Sequence, residues 1–349
     1  MNYLIKLTLF SSSIFLANSC AQGEFAGGAK NRKAEELQPD ETTTLGGEDS
    51  VVVTKPDSTV EINVGVTPDD GESITATCSD PFVAITIDPG ETDKVISNPM
   101  PACFAYVSAV CVGAGGGGER NGDDASGGGG GALAWFHNKT FVSTDVYKGS
   151  DGVAGTPGVK GGDSIFKIND QIYLTAAGGG HGTAAAGGTG GKFTLTSSKE
   201  TGVDYGGGNG GNGGRYHTSG GRISAGGGGG AGGYEGKGGN GANNVERGNG
   251  GAGKGGAGGG GGAGCEQAGK GGGVGLFGKG SDGAGGGHSG RCKSDERGKT
   301  GFHGSHFKGI AVYGGGASGQ SERGIIPADS GKCRIIFSKE RWNWLSKTE

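Results

Sequence analysis

The chain has 349 residues, of which 88 are glycine and only 9 proline, with 7% aromatic residues and a formal net charge of −4. Glycine does not recur strictly at every third position and proline is scarce, so a collagen triple helix is excluded. The slightly acidic balance and the lack of a clustered basic stripe argue against nucleic acid as a partner.

Met1 to Lys6 followed by the apolar run Leu7 to Leu16 is too short to span a bilayer and reads as a signal peptide over residues 1–19. Its end, Ala17-Asn-Ser-Cys20, resembles the lipobox of bacterial lipoproteins. That resemblance implies a lipidated Cys20 and anchoring in the membrane, with each buried methylene contributing about 0.8 kcal/mol. Ala21 and Gln22 lack an aspartate retention signal, which points to the outer membrane or cell surface; the plain alternative is a secreted protein. Residues 20–50 are rich in charge, threonine and glycine and read as a tether.

From Val51 short β-prone runs appear: Val51–Thr54, Ser58–Val64, Ser73–Cys78 and Phe82–Ile87, with turns at Pro68–Gly71 and Asp88–Gly90. A small β-sandwich or sheet is expected over 51–110, packed on a glycine-rich body that occupies 111–337. Ala105–Val112 leads into that body as a strand, and Gly331–Phe337 leaves it as another. Inside the body, Ala132–His137 is an ordinary-looking insert, and Gly161–Leu174 alternates as a hairpin around Asn169-Asp170. Residues 338–349 form a tail whose Trp342 and Trp344, two apart, either cap a sheet end or form an exposed patch.

Composition alone would allow the glycine tracts to be a flexible spacer, since glycine loses the most backbone entropy on folding. The bracketing strands favour an ordered alternative: extended segments with three residues per turn, close enough without Cβ atoms to hydrogen-bond to one another. The expected fold class is therefore mainly β, with an irregular array of polyglycine II helices.

Val110–Gly118, Gly162–Phe166, Ala176–Gly180 and Gly331–Phe337 together resemble the glycine-rich domain of phage tail-fibre and adhesin-type surface proteins. More distantly, they are similar to the glycine-rich extracellular domain of the anaplastic lymphoma kinase receptor family. The resemblance covers roughly residues 106–340 and implies a glycine-helix array whose loops do the binding. A phage fibre has no need of a lipoprotein signal, and here the chain departs from that pattern.

Residues interrupting the glycine runs should project from the array, where recognition commonly resides. Arg215, Tyr216, His217, Tyr234, Phe302, His303, His306 and Phe307 are the candidate ligand-binding residues, able to stack on sugars or contact protein, or else to cap the array. Of seven cysteines, six remain once Cys20 is given to lipid. In an exported chain these imply disulfides, and the favoured pairs are Cys78 with Cys103, Cys265 with Cys292, and Cys111 with Cys333. Other connectivities stay open.

No nucleophile elbow, paired carboxylates or metal-ligand cluster emerges, so no catalytic residue, metal or cofactor is expected. The phosphate-loop-like Gly248–Lys254 lacks the following Ser or Thr. The expected function is non-enzymatic: a lipid-anchored surface protein presenting loops for adhesion. Its partners would be the membrane and a glycan or surface protein, with self-association left open. A virion receptor-binding tip and a subunit of an extracellular filament or coat are the rivals.

Overall fold

The structure is a computed structural model. It describes residues 60–63, 78–96, 103–119, 125–195, 200–219, 222–243, 248–264, 267–288, 297–305, 311–319 and 325–346. The signal peptide, Cys20, the tether, the runs at 51–54 and 73–77, Cys265, Cys292, His306 and Phe307 lie outside the described residues, as does the side chain of His217.

In chain order the strands are β1 (Val60–Asn63), β2 (Phe82–Thr86), β3 (Lys94–Ile96), β4 (Tyr106–Val112), β5 (Leu133–Thr140), β6 (Tyr147–Ser150) and β7 (Ser164–Ile168). They continue with β8 (Gln171–Ala176), β9 (Phe193–Leu195), β10 (Asp204–Gly208), β11 (His217–Ser219), β12 (Arg222–Ser224) and β13 (Lys332–Ser338). Two larger sheets result, one ordered β1-β2-β13-β4-β5-β10 and the other β3-β6-β7-β8-β9. All neighbours are antiparallel except β1 and β2, which run parallel. The fold is mainly β.

The near-continuous apolar runs of β4 and β13 are explained by their position. Both are central strands, and every residue of β13 is buried, because both faces of their sheet are covered. On one face Ile85, Phe136, Ile335 and Phe337 pack with Phe166 and Leu174 of the smaller sheet. Phe136 meets Phe166 at 5.5 Å and Tyr173 edge-on at 4.7 Å between ring centroids. Burying each such side chain contributes about 1.5–3 kcal/mol. On the other face Val110, Leu133, Trp135 and Ile336 are covered by Tyr234, Val274, Leu276 and Trp344.

Trp344 is therefore a lid on the sheet: its ring is fully buried and Nε1 donates to the Phe136 carbonyl at 2.9 Å. The β7–β8 hairpin turns at Asn169-Asp170, with φ of 50° and 64°, the left-handed pair that a two-residue hairpin of this twist needs.

The front β region does not stand apart. β2 lies between β1 and β13, and β3 pairs with β6, so the boundary expected at 110/111 falls inside β4. Short front strands gain the two-sided burial that a core of about sixty residues could not supply alone. Among the described residues two disulfides are formed, Cys78–Cys103 and Cys111–Cys333. The second joins facing residues of β4 and β13 across 222 positions, a closure contributing about 5 kcal/mol on a chain-entropy account.

Beyond the strand ends the glycine segments hydrogen-bond to one another in rotation. Gly127 and Gly130 donate to Gly214 and Gly211, Gly128 and Gly131 to Ala317 and Gly314, and Gly129 and Ala132 to Gly180 and Ala177. Each neighbour thus recurs at every third residue. The same segment accepts from Gly188 and Gly191, from Gly229 and Gly232, and from Gly113 and Gly116, so six segments surround it. Segments 226–231 and 258–263 are enclosed in the same way. Only glycine permits this approach: a Cβ on Gly130 would press into the Gly230 carbonyl, and one on Gly230 into that of Gly258.

Candidate functional site

The rotation that satisfies inner segments leaves one N–H in three pointing outwards wherever a segment lies at the surface. Five such segments lie side by side, 187–192, 209–215, 237–243, 248–254 and 283–288. They are linked by Gly210 to Gly191, Gly238 to Asn209, Gly251 to Asn240, and Gly250 to Gly286 backbone bonds. A sixth, 299–302, joins them through Lys299 to Gly287 and Phe302 to Ala284. The result is a broad outer face made of backbone ridges.

Asparagine side chains close five of the backbone N–H groups along this face. Asn209 Oδ1 accepts from Phe193 N at 3.3 Å and Asn212 Oδ1 from Gly190 N at 2.9 Å. In the next ridge Asn240 Oδ1 accepts from Asn212 N at 3.0 Å and Asn243 Oδ1 from Arg215 N at 2.8 Å. Asn249 Oδ1 accepts from His288 N at 2.9 Å. All five asparagines are exposed. With each oxygen facing a backbone N–H, the amide nitrogens remain as donors to solvent or a ligand. The i, i+3 spacing of Asn209 with Asn212 and of Asn240 with Asn243 matches the every-third-residue recurrence of the backbone hydrogen bonds.

Among the described residues the exposed charges of these ridges are cationic. Lys192, Arg215, Lys237, Lys254 and Lys299 are exposed, and none forms an ion pair among the described residues. Of the acids nearby, Glu235 is paired with Lys279, and Asp282 Oδ1 accepts from Gly256 N at 2.6 Å. In a chain of net charge −4, the described part of this face is therefore cationic and amide-studded. Such a surface suits hydroxyl-rich or anionic polymers, with each exposed charge adding attraction that salt screens.

The candidate residues named from sequence are dispersed. Arg215 and Phe302 both lie on the outer face, Phe302 being 63% exposed. Tyr216 sits at the end of its ridge, half-buried against Ala125, Ala225 and Ala268. His217 begins β11. Half-buried His303 serves the backbone: its Nδ1 accepts from Gly273 N at 3.1 Å, and burial holds its pKa below the usual value while Asp329 opposes the shift.

Tyr234 requires a correction. It does not project but is fully buried between the large sheet and the tail, its ring 6.4 Å from that of Trp344. Its hydroxyl accepts from Gly278 N at 3.1 Å and donates to the Gly275 carbonyl, and burial pushes its pKa well up. It belongs to the buried cluster with Trp135, Leu276 and Trp344, so an interruption in a glycine run points inwards here.

The asparagines were missed from sequence although a signal existed. Gly208-Asn-Gly-Gly-Asn-Gly213 and Gly239-Asn-Gly-Ala-Asn243 place asparagine at every third residue, the phase of a three-residue helix. A concavity of ≈ 680 Å³ flanks β10, the edge strand of the large sheet, lined by Trp135, His137, Asp204, Tyr205 and Leu345 among others. There His137 Nε2 lies 2.9 Å from Asp204 Oδ2, and the indole of Trp135 stacks on the imidazole at 5.0 Å. Gly206 leaves room for that indole, which a Cβ would strike.

Among the described residues no group of three or more His, Cys, Asp or Glu side chains is placed to hold a metal ion. No helix among them is long and apolar enough to cross a membrane. The two disulfides agree with an oxidising, extracytoplasmic compartment. No protein-family model matches the sequence, and no curated protein matches it.

Proposed function

We propose that this is a non-enzymatic, lipid-anchored surface protein whose glycine segments form a polyglycine II lattice, and that the outer face of the lattice attaches to a glycan. The observation that carries this reading is the asparagine-bridged outer face, where cations without an ion-pair partner among the described residues stand beside amide donors at a regular spacing. The three-residue rotation of hydrogen bonds supports the lattice.

The asparagines of this face cost little to order on binding, because their side chains are already held by hydrogen bonds. A polysaccharide offers hydroxyls and, in acidic glycans, carboxylates along a repeating chain, which such a face can meet at several points at once. The signal ending in Cys20 would place the protein on the outer membrane or cell surface, with residues 20–50 as the spacer. The likeness to glycine-rich domains of fibre and adhesin-type proteins supports the same division between scaffold and binding surface.

The test is binding of the secreted full chain to immobilised neutral and acidic polysaccharides and to whole cells. Arg215→Glu combined with Lys237→Glu is expected to weaken capture at least tenfold, with an unchanged melting temperature and a steep salt dependence in the parent. Failure of the parent to bind any glycan or cell, or unaltered binding by the double variant, overturns the reading.

A further inference from the structure

Four Asn-Gly pairs lie on the outer face among the described residues: Asn209-Gly210, Asn212-Gly213, Asn240-Gly241 and Asn249-Gly250. Asparagine before glycine readily closes to a cyclic imide, because no Cβ on the second residue obstructs the approach of its backbone nitrogen to the asparagine Cγ. Here each pair grips its neighbouring ridge twice. Asn209 Oδ1 accepts from Phe193 N, while Gly210 N donates to the Gly191 carbonyl at 2.9 Å. Asn212 Oδ1 accepts from Gly190 N, while Gly213 N donates to the Gly188 carbonyl at 2.7 Å. Asn240 Oδ1 accepts from Asn212 N, and Gly241 N donates to the carbonyl of that same Asn212 at 2.7 Å. Asn249 Oδ1 accepts from His288 N, and Gly250 N donates to the Gly286 carbonyl at 2.9 Å.

The electrophile and the nucleophile of imide closure are thus held by one neighbour. The side-chain bond ties the asparagine amide to the adjacent ridge, and the backbone bond occupies the N–H that must lose its proton before nitrogen attacks. Neither group is free while the ridges touch, and both are freed together when they part. Segments at the surface, with backbone exposed on one side, are where such local opening costs least.

We propose that these four asparagines are deamidation sites gated by the ridge contacts, each reacting only when its seam opens. In the open seam hydroxide takes the proton from the glycine nitrogen, which bonds to Cγ. The Cγ–Nδ2 bond breaks, and Nδ2 leaves as ammonia with a proton returned by water. Water then adds to one of the two imide carbonyls. Cleavage at Cγ gives aspartate, and cleavage at the main-chain carbon gives isoaspartate, with the chain now running through the former side chain. The sum is amide plus water to carboxylic acid plus ammonia, with no change in oxidation state.

The products keep the seam from closing as before. Isoaspartate adds one carbon to the backbone, so the residues beyond it fall out of the three-residue phase that aligns their hydrogen bonds. Either product places a carboxylate on the face that carries Lys192, Arg215, Lys237, Lys254 and Lys299, so each conversion offsets one of these cations. A transient opening thereby becomes a permanent change of charge, whatever the face binds.

The experiment follows uptake of heavy oxygen at each asparagine, by peptide mapping of the secreted full chain kept with disulfides intact in mildly alkaline, isotope-enriched water. The folded parent should react at all four sites at least tenfold more slowly than the same chain unfolded in denaturant. Two variants press on single seams: a Cβ at Gly190 would meet the Gly210 carbonyl, and one at Gly285 that of Gly250. Gly190→Ala should speed reaction at Asn209 and Asn212 at least tenfold and leave Asn249 at the parent rate, and Gly285→Ala should do the reverse. Equal rates in the folded and unfolded parent overturn the proposal. So does a variant, folded by circular dichroism, that leaves its own seam at the parent rate or accelerates all four sites alike. If one variant does not fold, the other and the folded-against-unfolded parent decide.

Discussion

The sandwich and the glycine segments are two solutions to the same problem of leaving no backbone group unpaired in a dry interior. In the sandwich, strands pair in sheets and side chains such as Phe136, Phe166 and Ile335 fill the space between them. Among the glycine segments there is almost no side chain to bury, and each backbone meets up to six others directly. One region is held by apolar area, the other by hydrogen bonds whose geometry depends on a missing Cβ. The two should therefore fail in opposite ways, the sandwich when atoms are removed and the glycine segments when atoms are added.

Gly230→Ala gives the largest expected effect. One added carbon meets the Gly258 carbonyl, and neither backbone can retreat without breaking bonds to its other neighbours. A loss above about 4 kcal/mol is expected, in the exceptional range for one substitution. Thermal melting measures it, and amide exchange should show lost protection through 226–232. A melting temperature within a few degrees of the parent would break the comparison.

Removing the Cys111–Cys333 bridge by double serine substitution should cost about 2–5 kcal/mol, read from denaturant titration. Phe136→Ala, the sandwich counterpart of the glycine change, should cost about 3–5 kcal/mol through the cavity it leaves, with protection in segments 226–231 and 258–263 largely kept.

Asp151 links the comparison to pH. Its folded pKa is raised to about 8 from a usual value near 4, so between those limits the folded chain holds a proton that the unfolded chain has released. Its contribution therefore falls as pH rises from about 4 to 8 and levels off above. Asp151→Asn should flatten that slope and raise stability at neutral pH by a few kcal/mol, as measured by denaturation across pH.

The smallest effect is expected at the rim. Asn212→Ala frees Gly190 N–H, but water can replace the lost oxygen at this exposed position, so a loss of about 0.5–1.5 kcal/mol is expected in thermal melts.

Much of the sandwich was legible because its signals are local. The alternating Gly161–Leu174 stretch with Asn169-Asp170 specifies a hairpin, and the bracketing runs Ala105–Val112 and Gly331–Phe337 mark the strands that became β4 and β13. Strand pairing across long distances left no such mark. Nothing near Phe82 indicates that β2 would lie against β13, and nothing in Asp204–Gly208 reads as a strand edge.

The candidate site was legible only in part. Arg215 and Phe302 lie on the outer face, as expected of residues interrupting glycine, whereas Tyr234 is enclosed. An aromatic flanked by glycine carries no hydrophobic period from which its direction could be read. The asparagines did carry one, at every third residue, but the phase acquires meaning only when the helix has three residues per turn.

By itself the sequence determined composition, the β-prone runs, the hairpin turn and the supply of Cβ-free backbone, because each depends on a residue and its near neighbours. Tertiary structure alone decided which segments surround each glycine run and which interruptions face outwards. Those outcomes depend on contacts between residues far apart in sequence, such as Gly115 and Asp329, and the direction of a side chain on a glycine segment is set by the neighbours that occupy its other two sides.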